Sequence, residues 1–286
     1  MIHIPKDYDS YTISSFIDTQ KVKIEAQKNF VTEDWRKFVE ATLKENKLYK
    51  DQMIIYFKSI SGVMSTELRK TIIKSLENFN NFMNQYKQET YYEPEEIYEG
   101  QFNHEFPFQK SFLEISIVPS PEDKCFVFSD ELSEVQTKIV SMIGEVVRCS
   151  SDCERPDNQF IKNLEKRNNL WEVPMEDVLI LHIIRNIDKI LRDNLSCVNK
   201  VIDLYDPFIF ALSEQKELEK FKNGKPRRDE IKKRIAFYEE KLKLVQISMP
   251  NAIYMNMIKI DCTDINVYLC QCITEFIYDL LRYIQS

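Results

Sequence analysis

The sequence predicts a mainly α-helical chain: an elongated array of packed helices with one small β hairpin. Three observations carry this expectation. Apolar residues recur at steps of three and four through most of the chain, the spacing that gathers them on one helix face. Glycine is scarce, with four among 286 residues, whereas β-rich folds and phosphate-cradling loops lean on it for tight turns and close backbone approach. Strand-like alternation is confined to one stretch, Phe106 to Phe128.

The elements follow in order. Ser14 to Phe30 reads as a short helix after a polar lead-in. Thr32-Glu-Asp-Trp35 opens another: Thr32 caps free N–H groups, two acids suit the positive helix end, and Trp35, Phe38, Val39 and Thr42 or Leu43 recur at helical spacing. The strongest helix runs from Asp51 to Tyr86, with Ile54, Phe57, Val63, Met64, Leu68, Ile72, Leu76, Phe79 and Met83 on one face. Gly62 within it marks a kink or a close approach. An acidic, tyrosine-bearing connector follows, Glu89 to Gly100. Phe112 to Ile117 and Cys125-Phe-Val-Phe128, joined by a Pro/Ser/Asp turn, form the hairpin. Ser129 or Asp130 caps a helix carrying Leu132, Val135, Ile139, Met142, Ile143 and Val146.

Cys149 to Trp171 is polar and broken by Pro156. Pro174-Met-Glu-Asp starts a helix with Val178, Leu179, Leu181, Ile184, Ile187, Ile190 and Leu191, continuing towards Tyr205 and Pro207. Asn223-Gly-Lys-Pro226 is a turn. Arg227 to Val245 is a charged helix, Ile253 to Ile260 is extended or turn-like, and Asp264 to Ile284 is the last helix, with Ile265, Leu269, Cys272, Phe276, Leu280 and Ile284. Three regions result: 1–48, an extension with short helices; 49–148, the long helix, hairpin and a further helix; and 149–286, a helical segment.

Charge and composition exclude several classes. The net charge is −7, from 39 basic and 46 acidic residues, with no basic stripe of the kind a nucleic-acid binder shows. No apolar run is long enough for a membrane span, and the first residues turn polar at once. Seven Cys is an odd number for a complete internal disulfide set, and several sit in apolar helical patterns. A reducing cytosolic compartment is expected.

Catalytic and metal-binding patterns are sparse. His3, His104 and His182 include no helical zinc pair, and His182 reads as a core or interface residue. Cys149-Ser-Ser-Asp-Cys153 lacks a second cysteine pair at metal-site spacing. Cys270-Gln-Cys272 is not a redox CxxC pair. Asn223-Gly-Lys-Pro-Arg-Arg228 has one Gly, too few for a phosphate cradle, and reads as a solvated turn. Acid pairs such as Glu95-Glu96 and Glu239-Glu240 read as surface groups. The rings of Tyr91, Tyr92, Tyr98, Phe102, Phe106 and Phe108 lie in an acidic stretch, which suits packing rather than base stacking. No cofactor is implied.

Four motifs in order then carry a resemblance. Tyr56-Phe-Lys-Ser-Ile-Ser-Gly-Val-Met-Ser-Thr-Glu-Leu-Arg69 with Lys74-Ser-Leu-Glu-Asn-Phe79, Pro107-Phe to Phe128-Ser-Asp, Val201-Ile-Asp-Leu-Tyr-Asp206, and Phe237-Tyr-Glu to Met249-Pro with Met257-Ile-Lys-Ile-Asp-Cys-Thr-Asp264 together resemble the tail of axonemal dynein heavy chains, inner-arm members most of all. The chain departs from the family's pattern in places: Val63-Met-Ser65 and Glu67-Leu-Arg69 replace its commonest letters, Ser129 stands where a proline is usual, and Tyr254-Met-Asn-Met fills the place of a glycine. The resemblance covers most of residues 50–286. It implies a segment near the junction with the linker, with ATP hydrolysis and microtubule binding encoded downstream of Ser286 and the present chain a piece of a longer one. It further implies structural roles for Phe57, Met64, Ser65, Leu68, Arg69, Leu76, Phe128, Pro250 and Cys262. Other parts of the heavy chain, light or intermediate chains and axonemal docking proteins are the implied partners, in the cytoskeleton of a cilium, with neither nucleic acid nor membrane. The expected function is non-catalytic: to hold, join and transmit. A stand-alone helical adaptor or scaffold is the alternative, and an enzyme would need a pocket of converging titratable groups.

Overall fold

The computed structural model describes residues 2–6, 9–29, 33–46, 50–87, 111–149 and 177–285. The connector at 89–100, the clustered rings from Tyr91 to Phe108, Thr32, Cys153 and Pro174 lie outside the described residues. The fold is mainly α-helical with a small, open β-sheet. Its elements are β1 (Tyr11–Thr12), α1 (Ile13–Asn29), α2 (Trp35–Asn46), α3 (Lys50–Met83), β2 (Leu113–Ser120), β3 (Cys125–Phe128), α4 (Leu132–Arg148), α5 (Val178–Val198), α6 (Glu214–Asn223), α7 (Arg228–Ser248), β4 (Ala252–Met255), β5 (Ile258–Asp261) and α8 (Thr263–Gln285), with 3-10 turns at Asn84–Tyr86 and Asn199–Leu212. No described helix is long and apolar enough to cross a membrane.

The chain divides into two compact units, each drawing on separated stretches. One comprises Met1–Pro5, Ser14–Lys87 and Val135–Arg192; the other comprises Lys6–Ile13, Gln88–Glu134 and Asp193–Ser286.

The first unit is built on α3. Phe57, Met64, Leu68, Ile72, Leu76, Phe79 and Met83 are buried at steps of seven, four and three, so a single stripe faces inward. Trp35 and Ile60 pack on Met64 and Leu68, while Val39 of α2 packs on Phe57. The Phe16 and Phe79 rings stack 6.5 Å apart. Val63, expected on the stripe, is exposed, as is Phe38 on α2. Gly62 marks no close approach: the helix runs on through it, and an added Cβ would meet nothing within 4 Å.

Polar clamps set register in this unit. The Gln20 side chain accepts from the His3 N–H (2.7 Å) and donates to the His3 carbonyl (3.0 Å), and the Ile2 N–H donates to Ser75 Oγ (2.9 Å). Asn186 Nδ2 on α5 donates to Asn80 and Asn84 Oδ1 at 2.7 and 2.9 Å. The first turn of α5 departs from expectation. Ile180 and Ile183 are buried there, whereas Val178 and Leu179 are exposed. Val178-Leu-Ile-Leu is apolar all round, so spacing alone cannot choose its inner face. His182 is likewise exposed on α5 and is not a core residue.

The second unit holds the sheet, ordered β1-β2-β5-β4, with β3 on the far half of β2. β2 pairs parallel with β1 and β5; β2–β3 and β4–β5 are antiparallel hairpins. The stretch from Ile253 to Ile260 is therefore a second hairpin, and the single expected hairpin is one part of a larger sheet. Its core face collects Leu113, Ile115, Ile117, Ile253, Met255, Ile258 and Ile260, all buried, with Ile115 opposite Ile260 and Met255 opposite Ile258. Between β4 and β5, Asn256 adopts a φ of 54°. Asparagine tolerates that left-handed region better than most residues. In the 223–226 turn Lys225, not Gly224, takes the positive φ, at 50°.

Candidate functional site

The residues singled out by sequence fall into two groups, one in each unit. Phe57, Met64, Leu68 and Leu76 lie in the buried stripe of α3, with Ser65 half-buried and Arg69 exposed beside it. Arg69 Nη2 donates to Asp177 Oδ2, a short charge-assisted bond, while Asp177 Oδ1 accepts from the Leu179 N–H at 3.0 Å. Asp177 thus caps α5 and ties it to α3. The Arg69 hydrogen bond holds the Asp177 carboxyl below the usual carboxylate range.

In the second unit, Phe128 pairs with Ile117 at the end of the first hairpin. Pro250 and Cys262 flank the second hairpin, where four hydrogen bonds close a small knot. The Cys262 N–H donates to the Asn251 carbonyl (2.8 Å), and the Asn266 N–H to the Cys262 carbonyl (3.0 Å). Asn266 Nδ2 donates to the Pro250 carbonyl (2.9 Å), and the Tyr205 hydroxyl to Asn266 Oδ1 (3.1 Å). The knot fixes the entry of α8 to the strand ends and to the 3-10 segment. Burial pushes the Cys262 thiol up to about 11, so it stays protonated and acts as a small apolar residue.

Sequence reasoning missed a second polar construction nearby. Glu214, nearly buried, accepts from Arg234 Nη2 and from the Tyr238 hydroxyl, and Arg234 Nε donates to Tyr238 Oη at 3.0 Å. The guanidinium also lies over the Phe221 ring, 4.9 Å from its centre. Burial, then the Glu214 carboxylate, push the Tyr238 phenol well above its ordinary value. Tyr238 has no exposed surface, so no substrate can reach that hydroxyl. The signal for this cluster was weak: Glu214 is one acid in a charged helix, and only its partners single it out.

An open cleft of about 820 Å³ runs along α6 and α8. Lys124, Lys216, Lys220, Arg282, Glu217 and Glu275 line it, over Leu218 and Phe276. Lys220 pairs with Glu217 at 2.7 Å, and Lys222 with Asp279 at 2.6 Å. Tyr268 and Cys272 share a hydrogen bond on its wall, and burial pushes the phenol up to about 12. Its charges are of both signs and partly paired, so it gathers no acid–base pair and no cation cradle. Among the described residues, no group of three or more His, Cys, Asp and Glu could hold a metal ion. No family model and no curated protein sequence matches the chain.

Proposed function

We propose that the chain is a non-catalytic structural and interaction segment of a dynein heavy-chain tail, close to its junction with the linker. The reading rests on the four ordered motifs. The observation that carries it is the kind of position the motif residues occupy. Phe57, Met64, Leu68 and Leu76 form one buried stripe, and Cys262 is fully buried at the start of α8. Pro250 lends its carbonyl to the Asn266 amide in the same knot. Residues placed in a stripe, a hairpin and a junction are suited to building a shape rather than to performing a reaction. In this reading the buried stripes and hydrogen-bonded junctions resist bending and carry load, while exposed helix faces meet partner chains. The implied setting is a ciliary axoneme.

An antibody against this segment tests the proposal on extracts of ciliated cells. The expected result is recognition of a polypeptide many times larger than 34.2 kDa that sediments with axonemal microtubules and is released by ATP and salt. A free 34.2 kDa polypeptide absent from axonemes overturns it and points to a stand-alone adaptor.

A further inference from the structure

We propose that the solvent face of α7 is an interaction surface for a second copy of this chain, paired antiparallel about a two-fold axis through Ala236. The inner side of α7 is the row Ile231, Tyr238 and Val245, all buried. The opposite side carries Asp229, Lys232, Lys233, Ala236, Glu239, Glu240 and Lys243, all exposed. At about 100° per residue, the six charged positions lie within about 60° of Ala236 around the helix. They form one continuous surface, and among the described residues none of them is in an ion pair.

The order of charges along this face is what selects the occupant. Turned end for end about Ala236, the face meets its own complement. On one side of the seam Lys232 falls beside Glu239 of the other copy, on the other side Lys233 falls beside Glu240, and Asp229 meets Lys243 near the midline; the two-fold axis repeats each pair. Two-fold interfaces are isologous, so every favourable pair is made twice. Parallel pairing in register would set each charge against itself and be repelled. Ala236, at the crossing point, is small enough for close helix approach. The proposal does not depend on the functional reading above, and its failure would leave that reading untouched.

Charge exchange in the 286-residue chain tests it. Sedimentation equilibrium at low salt is expected to show a reversible dimer. That dimer weakens by about tenfold or more near 1 M salt, where the Debye length is about 3 Å. The pair Lys232→Glu and Lys233→Glu, and separately Glu239→Lys and Glu240→Lys, each give a monomer. Mixing the two variants restores a heterodimer, because each now complements the other; restored assembly also shows that both variants fold. Ala236→Cys, lying on the axis, is expected to form disulfide-linked dimers faster than the unsubstituted chain. Asp229→Cys is not, since its copies would stand about 20 Å apart. A chain that stays monomeric at every concentration, a mixture that fails to associate, or equal linkage through the two cysteines overturns the proposal.

Discussion

Helices α3 and α7 are both long, at 34 and 21 residues, yet they are anchored by different means. α3 buries an apolar row, from Phe57 through Leu68 and Leu76 to Met83. α7 buries only Ile231, Tyr238 and Val245, and Tyr238 is tied by hydrogen bonds to Glu214 and Arg234. The first arrangement gains from removing apolar surface from water, at about 25 cal/mol per Å². The second must satisfy groups that are costly to bury alone. A dry stripe is therefore sensitive to side-chain volume, and a polar cluster to the loss of one partner.

The largest effect is expected at Leu76, which is fully buried: Leu76→Ala should cost about 3–5 kcal/mol. Leu68, 7% exposed, should cost less, at about 2–3 kcal/mol. Denaturant titration measures both, and near-neutral values would break the packing account of α3. Glu214→Ala leaves Arg234 and the Tyr238 hydroxyl without their acceptor. With Arg234 partly in solvent, a loss of about 3 kcal/mol is expected. The sharper measurement is the double variant Glu214→Leu with Arg234→Met, expected to be more stable than Glu214→Ala alone. If it is less stable, the cluster is not governed by desolvation, and the contrast with α3 fails.

Smaller effects refine the picture. Asn266→Ala removes the amide donor to the Pro250 carbonyl and the amide acceptor of the Tyr205 hydroxyl and should cost about 1–3 kcal/mol in thermal unfolding. Gly62→Ala goes the other way. The position is helical and open, so a gain of about 0.5–1 kcal/mol is expected; a loss would mean that unseen packing surrounds it. The Arg69–Asp177 pair is the weakest, since Arg69 is 47% exposed, and Arg69→Ala should cost about 0.5 kcal/mol. Its pH dependence has a definite sign. The Asp177 pKa is lowered in the fold, so the contribution is complete above about pH 4 and is lost as pH falls through the folded value. Stability of Arg69→Ala and the unsubstituted chain should draw together as pH falls below about 4, and a gap that does not narrow with acid would contradict the pairing.

Much of the fold was legible where one physical signal dominated. Helices α3, α4 and α8 announce themselves through apolar spacing, and the β2–β3 hairpin through alternation around a Pro/Ser/Asp turn. The inner face of the first turn of α5 was not legible, because an all-apolar turn has no periodic asymmetry. The second hairpin was missed because Ala252–Met255 and Ile258–Asp261 are each four residues long, too short for alternation to stand out. Of the candidate site, the stripe of α3 could be read directly. The Glu214–Arg234–Tyr238 cluster could not, because hydrogen-bond partners 20 and 24 residues apart leave no mark on local sequence.

Sequence alone establishes a helical chain with a limited β component and most of the residues that turn inward along each clear helix, Val63 being an exception. Spacing along a helix is local geometry, repeated every turn, and needs no knowledge of neighbours. Only the tertiary structure decided that β2 would join β1, β3 and β5, that Asn266 would tie Pro250 to Tyr205, and that Glu214 would be sheltered beside Arg234. Those outcomes depend on which distant surfaces meet, and burial rather than residue type turns an ordinary acid or phenol into a structural keystone.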